Sequence, residues 1–286
     1  MRLAWLTDIH LDWLEPEEVE RLFAEVGASG ADGVVVTGDV ALAGDALEHL
    51  EALARRAAVP VWFVLGNHDY YDGTLSDVRA RATALTRRGV GATWMPATDV
   101  VALTPDTALV GHDAWCDGRA GTGAASTVVM NDAILIGEFA ALLPPSVVGK
   151  TCGIDGWWDE FATTQPARFD LMRRLAAEGA THLERVVRLA LERHRHVVVL
   201  THFPPFAEAC WYRGTVSDPD WLPHLAATVV GDVLEAAMTA RPDREMTVLS
   251  GHTHTAHERH ILPNLTVRTG AARYGRPVLQ DVVTVT

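Results

Sequence analysis

Five short segments of the sequence place polar side chains directly after a run of apolar residues. These side chains are carboxylates, imidazoles and one carboxamide, and they belong to Asp8, His10, Asp39, Asn67, His202, His252 and His254. Because no thiolate is among them, the set suits manganese, iron or zinc. The segments lie far apart in the chain, so a metal site would have to be assembled by the fold.

The charges of these side chains suit two metal ions. Two divalent ions carry four positive charges, whereas Asp8, Asp39 and a hydroxide between the ions supply three negative charges. The remaining positive charge would attract a phosphate group. A metal pair also lowers the pKa of bound water and holds the attacking and leaving oxygens in line. The predicted chemistry is therefore hydrolysis of a phosphate ester by in-line attack of the bridging hydroxide.

The five segments differ in how specific they are. An Asp-x-His pair or a Gly-Asp turn, taken singly, is more typical of a structural turn. Gly66-Asn67-His68-Asp69 is more specific, although a helix-capping turn is its structural alternative. His202 taken alone favours a packed core histidine, whereas the two histidines of Gly251-His252-Thr253-His254 have little packing value. Together, in this order, the segments predict a metal site.

Short apolar runs bounded by turn residues supply the elements that would position these ligands. They predict buried strands at Leu3 to Leu6, Gly33 to Thr37, Val59 to Leu65, Ala108 to Val110, Val197 to Leu200 and Met246 to Leu249. Further strand-like stretches lie around Leu265 to Val267 and Val278 to Val285. In open α/β sheets, ligands gather outside the carboxyl ends of the strands. The strand ends that carry the candidate ligands are therefore expected to meet at one crevice.

Segments with helical periodicity alternate with these strands. The first contains Val19, Leu22, Phe23 and Val26, after a Glu-Pro-Glu-Glu start that suits a first helical turn. Further helices are predicted at Ala46 to Arg56, at about Ser76 to Arg88, and from Thr181 onward, where Thr181 and Glu184 match a capping box. This alternation predicts an α/β sandwich or a doubly wound sheet.

Length and composition set limits on the class of protein. The 286 residues, 48% of them apolar, are expected to form a single domain over residues 1–286. A formal charge of -13 argues against a long nucleic acid as partner, because binding a polyanion requires clustered Lys and Arg. Three widely spaced cysteines suggest neither disulfides nor a thiolate zinc site. Without a secretory or membrane-spanning apolar run, the chain is expected to be soluble and cytoplasmic.

The stretch from Cys116 to Gln165 breaks the strand and helix pattern with many glycines and prolines. It is predicted to be a loop-rich insertion within the domain, residues 116–165. Two interpretations stay open. The insertion is either a surface excursion or a functional lid that carries Trp157 and Trp158.

The motifs also resemble those of a known family, the calcineurin-like metallophosphoesterases. The matching residues are Asp8-x-His10, Gly38-Asp39, Gly66-Asn67-His68-Asp69, His202 and Gly251-His252-x-His254. The resemblance implies a two-sheet β-sandwich flanked by helices. It also implies two ligand sets, one of Asp8, His10, Asp39 and His254 and one of Asp39, Asn67, His202 and His252. His68 would meet the substrate phosphate or leaving group as general acid or charge stabiliser, with Asp69 orienting its ring.

Departures from two branches of that family narrow the expected substrate. Leu42 stands where purple acid phosphatases place a metal-binding tyrosine, and Asp69 stands where protein phosphatases carry a glutamate. The likeness is to bacterial phosphodiesterase-like members, which implies a small anionic phosphomonoester or phosphodiester as substrate. Two alternatives are a nuclease acting on short nucleic acid and an inactive protein-binding scaffold. Every expected ligand type is present, which argues against the scaffold.

Overall fold

The computed structural model of the protein describes residues 1–145 and 158–286. Its strands are β1 (Arg2–Leu6), β2 (Gly33–Thr37), β3 (Val61–Val64), β4 (Ala92–Trp94), β5 (Val101–Ala102), β6 (Thr107–Gly111), β7 (His196–Leu200), β8 (Trp211–Tyr212), β9 (Thr215–Val216), β10 (Glu245–Ser250), β11 (His257–Leu262), β12 (Leu265–Thr269) and β13 (Asp281–Thr284). Its α-helices are α1 (Pro16–Ala28), α2 (Ala46–Ala57), α3 (Leu75–Arg88), α4 (Asp132–Leu135), α5 (Gly137–Ala140), α6 (Trp158–Thr163), α7 (Gln165–Arg193), α8 (Leu222–Leu225) and α9 (Thr228–Thr239).

Two sheets form the centre of the fold. The first has the strand order β13-β1-β2-β3-β4, and the second has the order β11-β12-β10-β7-β6-β5. Within them β1, β2, β3 and β4 run parallel, as do β6, β7, β10 and β12, while β13, β11 and β5 add antiparallel edges. The sequence left a sandwich and a single doubly wound sheet open, and the structure is the two-sheet sandwich.

Successive residues of the central strands face two different layers. Leu3 and Trp5 of β1 pack between the sheets with Leu200 and Leu249 of the second sheet. Leu6 belongs to the larger apolar cluster that includes the helices. Helices α2 and α3 contact the first sheet, α1 packs on α2, and α7 and α9 contact the second sheet. Burial on both faces explains why these strands are continuous apolar runs rather than alternating patterns.

Local sequence signals place most helix ends correctly. Helix α1 begins at Pro16, where Glu15 and Glu18 form a reciprocal capping box. The prediction of a helix start at Thr181 is wrong, because α7 runs unbroken through that position. The Thr181 hydroxyl donates to the Ala177 carbonyl of the preceding turn, at 2.8 Å, and so caps no helix start.

One segment of the predicted insertion is bound to α3 and to the loop that precedes it. Glu138 accepts hydrogen bonds from the first two amides of α3, those of Leu75 and Ser76, at 2.7 and 3.0 Å. The amide of Gly137 donates to the Gly73 carbonyl at 2.9 Å. These contacts hold α4 and α5 beside the loop that follows β3. In the described part of the chain, no helix is long and apolar enough to span a membrane.

Candidate metal centre

The predicted metal ligands lie together at the carboxyl ends of five parallel strands. Asp8 and His10 follow β1, Asp39 follows β2, Asn67 follows β3, His202 follows β7, and His252 and His254 follow β10. We define a first donor group of Asp8, His10, Asp39 and His254, which offers four potential ligand atoms within 4.8 Å of one another. A second donor group consists of Asp39, Asn67, His202 and His252, in which the carboxylate and the two imidazoles meet the same distance criterion. Asp39 belongs to both groups.

The first donor group combines two carboxylates with two imidazoles. The Nε2 of His254 lies 3.3 Å from Oδ1 of Asp8 and 3.2 Å from Nε2 of His10. The Nε2 of His10 is 3.9 Å from Oδ2 of Asp39. The Asp8 carboxylate also accepts from the backbone amide of His252 at 2.9 Å, which joins the ends of β1 and β10. Within the described part of the chain, the buried Nδ1 of His10 has no hydrogen-bond partner.

In the second donor group, backbone carbonyls fix both imidazole rings. The Nδ1 of His202 lies 2.8 Å from the Thr37 carbonyl oxygen, and Nε2 of His252 lies 3.1 Å from that of His224. Since a carbonyl only accepts, these two nitrogens carry the hydrogen. In neutral rings the other nitrogens then hold lone pairs. They lie 3.1 and 3.0 Å from Oδ1 of Asn67.

The carboxamide of Asn67 is fixed by a pair of residues that the motifs did not indicate. Its Nδ2 donates to the Tyr71 hydroxyl and to Oδ1 of Asp132, both at 2.9 Å. The Tyr71 hydroxyl in turn donates to the same Asp132 oxygen at 2.7 Å. With the amide nitrogen committed in this way, Oδ1 of Asn67 faces the two histidines. Asp132 thus connects the insertion to the second donor group.

Three acceptor atoms therefore converge in the second donor group. They are Oδ1 of Asn67, Nε2 of His202 and Nδ1 of His252, and the Asp39 carboxylate lies 3.4 Å from His202. Burial lowers the pKa of both histidines, so both rings are neutral at pH 7. Buried acceptors without a donor are unfavourable unless a cation lies among them. The donor set fits a metal ion for this reason.

The pKa values of the two aspartates of the centre shift in opposite directions. Burial and the nearby Asp8 and Asp69 raise the pKa of Asp39 well above its usual value. Burial also acts to raise the pKa of Asp8, but the hydrogen bond with His254 and the nearby imidazoles lower that pKa overall. Two buried carboxylates this close disfavour joint ionisation. A divalent cation would remove that penalty, so the carboxylates also fit bound metal.

The backbone turns sharply at these strand ends. Left-handed φ values occur at five of the predicted ligands, namely 48° at Asp8, 40° at His10, 54° at Asp39, 70° at His252 and 54° at His254. Such angles cost about 1–3 kcal/mol at a residue other than glycine, and they cluster at functional sites. The turn explains how side chains two positions apart, such as Asp8 and His10, reach one site after leaving a strand.

The glycines of two motifs are required by close approach to a carboxylate. A Cβ at Gly66 would lie 2.1 Å from Oδ1 of Asp39, and one at Gly251 would lie 2.2 Å from Oδ2 of Asp8. Neither position can accept a side chain without moving a donor group. Gly-Asn-His-Asp and Gly-His-x-His therefore begin with glycine because each passes against the carboxylate of another strand end.

His68 lies beside the first donor group rather than within it. Its ring centroid is 4.6 Å from that of His10 and 4.3 Å from that of Tyr71. Its backbone amide donates to Oδ1 of Asp39 at 2.9 Å. Burial, and then the neighbouring His202, lower the pKa of His68 to about 4. The ring is neutral at pH 7 and can donate one hydrogen bond.

The structure corrects the expected role of Asp69, whose carboxylate does not hold the His68 ring. It accepts from four backbone amides, those of Gly66 and Val40 at 2.8 Å, Asp39 at 3.0 Å and Ala41 at 3.2 Å. Those amides belong to the turns that follow β2 and β3. Asp69 therefore fixes the backbone of both turns, and so the positions of Asp39 and Asn67.

Two buried residues between β6 and the predicted insertion, Trp115 and Asp113, have structural surroundings, and the tryptophan side chains of the predicted lid fall outside what the structure describes. The Asp113 carboxylate accepts from the Leu65 amide, the Trp94 indole and the Tyr70 hydroxyl, which is a structural role. Trp115 is buried in the core. Trp157 lies outside the described residues, as does the side chain of Trp158, so the lid remains a prediction.

Comparison of the sequence with protein families gives one match that spans most of the chain. The family model described as calcineurin-like phosphoesterase matches residues 1–256. No sequence of a curated protein matches the chain.

Solved structures with the same fold include three that cover most of this chain. A phosphopantetheinyl hydrolase from Mycobacterium tuberculosis superposes with a TM-score of 0.56 at 17% identity, covering 98% of this chain and 96% of its own. A dimetal phosphatase from Danio rerio has a TM-score of 0.56 at 11% identity, with coverage of 95% and 87%. A protein from Thermus thermophilus has a TM-score of 0.51 at 11% identity, with coverage of 94% and 88%. At these identities the likeness concerns the fold.

Proposed function

The chain belongs to the calcineurin-like phosphoesterase family, and from that membership we propose that it hydrolyses a small-molecule phosphomonoester or phosphodiester with two divalent metal ions. The first donor group would hold one ion and the second donor group the other, with Asp39 as the shared ligand. The metals would be manganese, iron or zinc, because the donors are oxygen and imidazole nitrogen.

The observation that carries this proposal is the position of Asp39 between the two donor groups. Its Oδ2 faces His10 at 3.9 Å, and its Oδ1 faces His202 at 3.4 Å. One carboxylate that presents an oxygen to each of two nitrogen ligands suits a pair of ions bridged by that carboxylate. When bound, such a pair supplies positive charge to phosphate oxygens and makes water a stronger nucleophile at neutral pH.

The residues around the centre would orient the ligands and the substrate. Asp69 and Asp132 keep Asp39 and Asn67 in place through the hydrogen bonds described above. His68 belongs to neither donor group, and its ring lies against His10 at the edge of the centre. It would donate a hydrogen bond to the substrate phosphate or to the oxygen that leaves, which stabilises charge as the ester bond breaks.

Metal analysis combined with two matched substrates tests the proposal. Purified protein is loaded with Mn²⁺, Fe²⁺ or Zn²⁺, and its metal content is measured beside its rates on a phosphomonoester and a phosphodiester that release the same phenol. We expect two ions per chain and hydrolysis of at least one ester. Asp39→Asn is the matched variant, since it keeps the size of the side chain while removing the shared charge. Fewer than two ions in the wild-type protein, or hydrolysis that does not depend on metal, would contradict the proposal.

A further inference from the structure

Two exposed aromatic side chains, Trp13 and Tyr274, contact each other at the edge of the candidate metal centre. Their ring centroids lie 5.2 Å apart and their planes meet at 47°. Trp13 is 62% exposed and Tyr274 is 43% exposed, so much of each ring remains available. Neither residue belongs to a donor group. We call this pair the aromatic edge.

The aromatic edge is held by the same strand ends that carry the donor groups. Trp13 ends the short 3-10 turn that begins directly after His10. Tyr274 lies in the loop from β12 to β13, which passes from the second sheet to the first. In that loop the amide of Ala272 donates to the carbonyl of His254 at 3.2 Å. The backbone that carries both rings is therefore connected to the first donor group.

Further hydrogen bonds fix the loop that carries Tyr274. The side-chain amide of Gln280 accepts from the Ala271 amide at 2.8 Å and donates to the Ala271 carbonyl at 2.7 Å. The backbone amide of Gln280 donates to the Trp5 carbonyl of β1 at 2.9 Å. This pairing connects the end of β12 to the start of β13 and limits the positions open to Tyr274.

Tyr274 lies directly beside the residues that would meet the substrate. Its ring centroid is 4.4 Å from that of His10 and 5.2 Å from that of His254. Its hydroxyl lies 3.5 Å from Nε2 of His68. An ester whose phosphate binds between the donor groups and His68 would have its organic substituent on the His68 side. That substituent would then extend along Tyr274 towards Trp13.

Two other exposed aromatic residues lack such surroundings. Tyr212 is 51% exposed and Trp221 is 47% exposed. Among the residues that the structure describes, neither ring pairs with another aromatic ring, and Tyr212 contacts the guanidinium of Arg213. The contact between rings and the approach to His68 therefore distinguish the aromatic edge from scattered exposed aromatics, which are common on protein surfaces.

We propose that the aromatic edge binds the leaving group of the substrate, and that the substrates of this protein are phosphate esters whose organic substituent carries an aryl or heteroaryl ring. The inference rests on the proposed function, since it assigns the substituent side of the same site. Tryptophan and tyrosine offer large rigid surfaces, and ring pairs add a preference beyond apolar burial. Such a preference corresponds to about three- to tenfold in affinity.

The test compares benzyl phosphate with cyclohexylmethyl phosphate, whose leaving alcohols are similar in size. The ratio of their kcat/KM values on the metal-loaded protein combines the preference for an aromatic ring with the higher acidity of benzyl alcohol, so the ratio of each variant is compared with that of the wild-type protein. We expect the ratio to fall about three- to tenfold in Trp13→Leu and in Tyr274→Leu. Tyr274→Phe keeps the ring and is expected to keep the ratio.

Tyr212→Leu and Trp221→Leu are the matched controls, because each removes an exposed aromatic residue outside the aromatic edge. Both are expected to leave the ratio unchanged. A wild-type ratio near one, or a ratio that both Leu variants of the aromatic edge preserve, overturns the inference.

A binding measurement separates failure of the inference from failure of the proposed function. Benzylphosphonate and cyclohexylmethylphosphonate carry the same two rings but cannot be hydrolysed at the carbon-phosphorus bond. Their dissociation constants on metal-loaded protein are expected to differ about three- to tenfold in favour of benzyl, and Trp13→Leu removes the difference. If neither the phosphomonoester nor the phosphodiester that releases the same phenol is hydrolysed, the proposed function fails, while equal phosphonate affinities in the wild-type protein overturn the aromatic edge.

Discussion

The two donor groups differ in what holds their side chains in place. The first has two carboxylates, but the Nδ1 of His10 has no hydrogen-bond partner in residues 1–145 and 158–286, and the His254 side chain is 25% exposed. The second has one carboxylate, and backbone carbonyls fix both of its imidazoles. Its carboxamide is fixed as well, by Asp132. The first group therefore relies more on charge, and the second more on orientation.

Asp39 is a member of both donor groups, and it presents one carboxylate oxygen to each of them. Substitution of a residue that serves one group should affect one ion, whereas substitution of Asp39 should affect both. The orienting contacts of the second group are worth about 10–100-fold in metal affinity in sites of this kind. The comparison can therefore be tested by counting the ions that each variant retains.

Loss of the shared carboxylate is expected to have the largest effect. Asp39→Asn removes the charge that both ions require, so we expect the metal content to fall from two ions towards none. Turnover is expected to fall by at least about 10³-fold, since the nucleophile and the charge stabilisation are both lost. Metal analysis and rates on the same preparation measure this. Retention of two ions would remove the bridging assignment and the comparison built on it.

Loss of His68 is expected to separate catalysis from metal binding. His68→Ala leaves every member of the two donor groups in place, so two ions should remain. Turnover is expected to fall by about 10²–10³-fold, because the hydrogen bond to the phosphate or leaving oxygen is lost. Turnover rates and metal content, measured on the same sample, test this separation. A variant that loses an ion as well would place His68 in the structure of the centre.

Removal of the contact that fixes Asn67 should weaken the second donor group alone. Asp132→Leu removes one of the two acceptors of the Asn67 amide and the acceptor of the Tyr71 hydroxyl, and we expect the affinity for one of the two ions to fall about 10–100-fold. Asp132→Asn still offers an oxygen and is expected to keep both ions. Stepwise dialysis against a chelator, followed by metal analysis, measures the loss.

Asp117→Leu is the control for Asp132→Leu, because Asp117 is an equally buried carboxylate that accepts from Thr228 instead. It should keep both affinities. Equal loss of the two ions in Asp132→Leu would show that the groups are not held separately.

The buried histidines of the second donor group should make the metal-free protein less stable as the pH falls. In the metal-free protein, burial lowers the pKa of His202 and His252, while the unfolded chain has the usual value of about 6.5. Below about pH 6.5 these histidines therefore bind more protons in the unfolded state than in the folded state. Their contribution to the unfolding free energy is fully present above that pH and is lost as the pH falls. Each histidine contributes up to about 1.4 kcal/mol per pH unit.

Urea unfolding of the metal-free protein between pH 7 and pH 5 measures this slope. His252→Gln removes one titrating ring, so its unfolding free energy should change less steeply with pH. An equal slope in the wild-type protein and the variant would contradict the account of a buried neutral imidazole.

The parts of the fold that depend on local pattern could be predicted from the sequence. The apolar run from Gly33 to Thr37 is observed with the predicted ends as β2, and the capping residues around Pro16 mark the start of α1. The seven candidate ligands could be predicted from motif chemistry, because each comes directly after such a run, whereas their division into two groups is implied by the family resemblance. The signal at Thr181 failed because a capping pattern is also compatible with the middle of a long helix.

The contacts that orient the centre could not be predicted in this way. Asp132 is 65 positions from Asn67, and Tyr274 is 206 positions from His68. Neither lies in a motif or after a predicted strand. The family resemblance implies that Asp69 orients the His68 ring. Its carboxylate instead accepts hydrogen bonds from backbone amides of two turns. Such roles depend on which loops the fold brings together.

Anomalous diffraction from crystals soaked in Mn²⁺ shows where the ions lie relative to Asp39. We expect two peaks about 3.5–4 Å apart, one on each side of the Asp39 carboxylate, with Oδ1 of Asn67 facing the second. In Asp39→Asn crystals soaked in the same way, both peaks should weaken together. A single peak, or two peaks of which neither adjoins Asp39, would contradict the account.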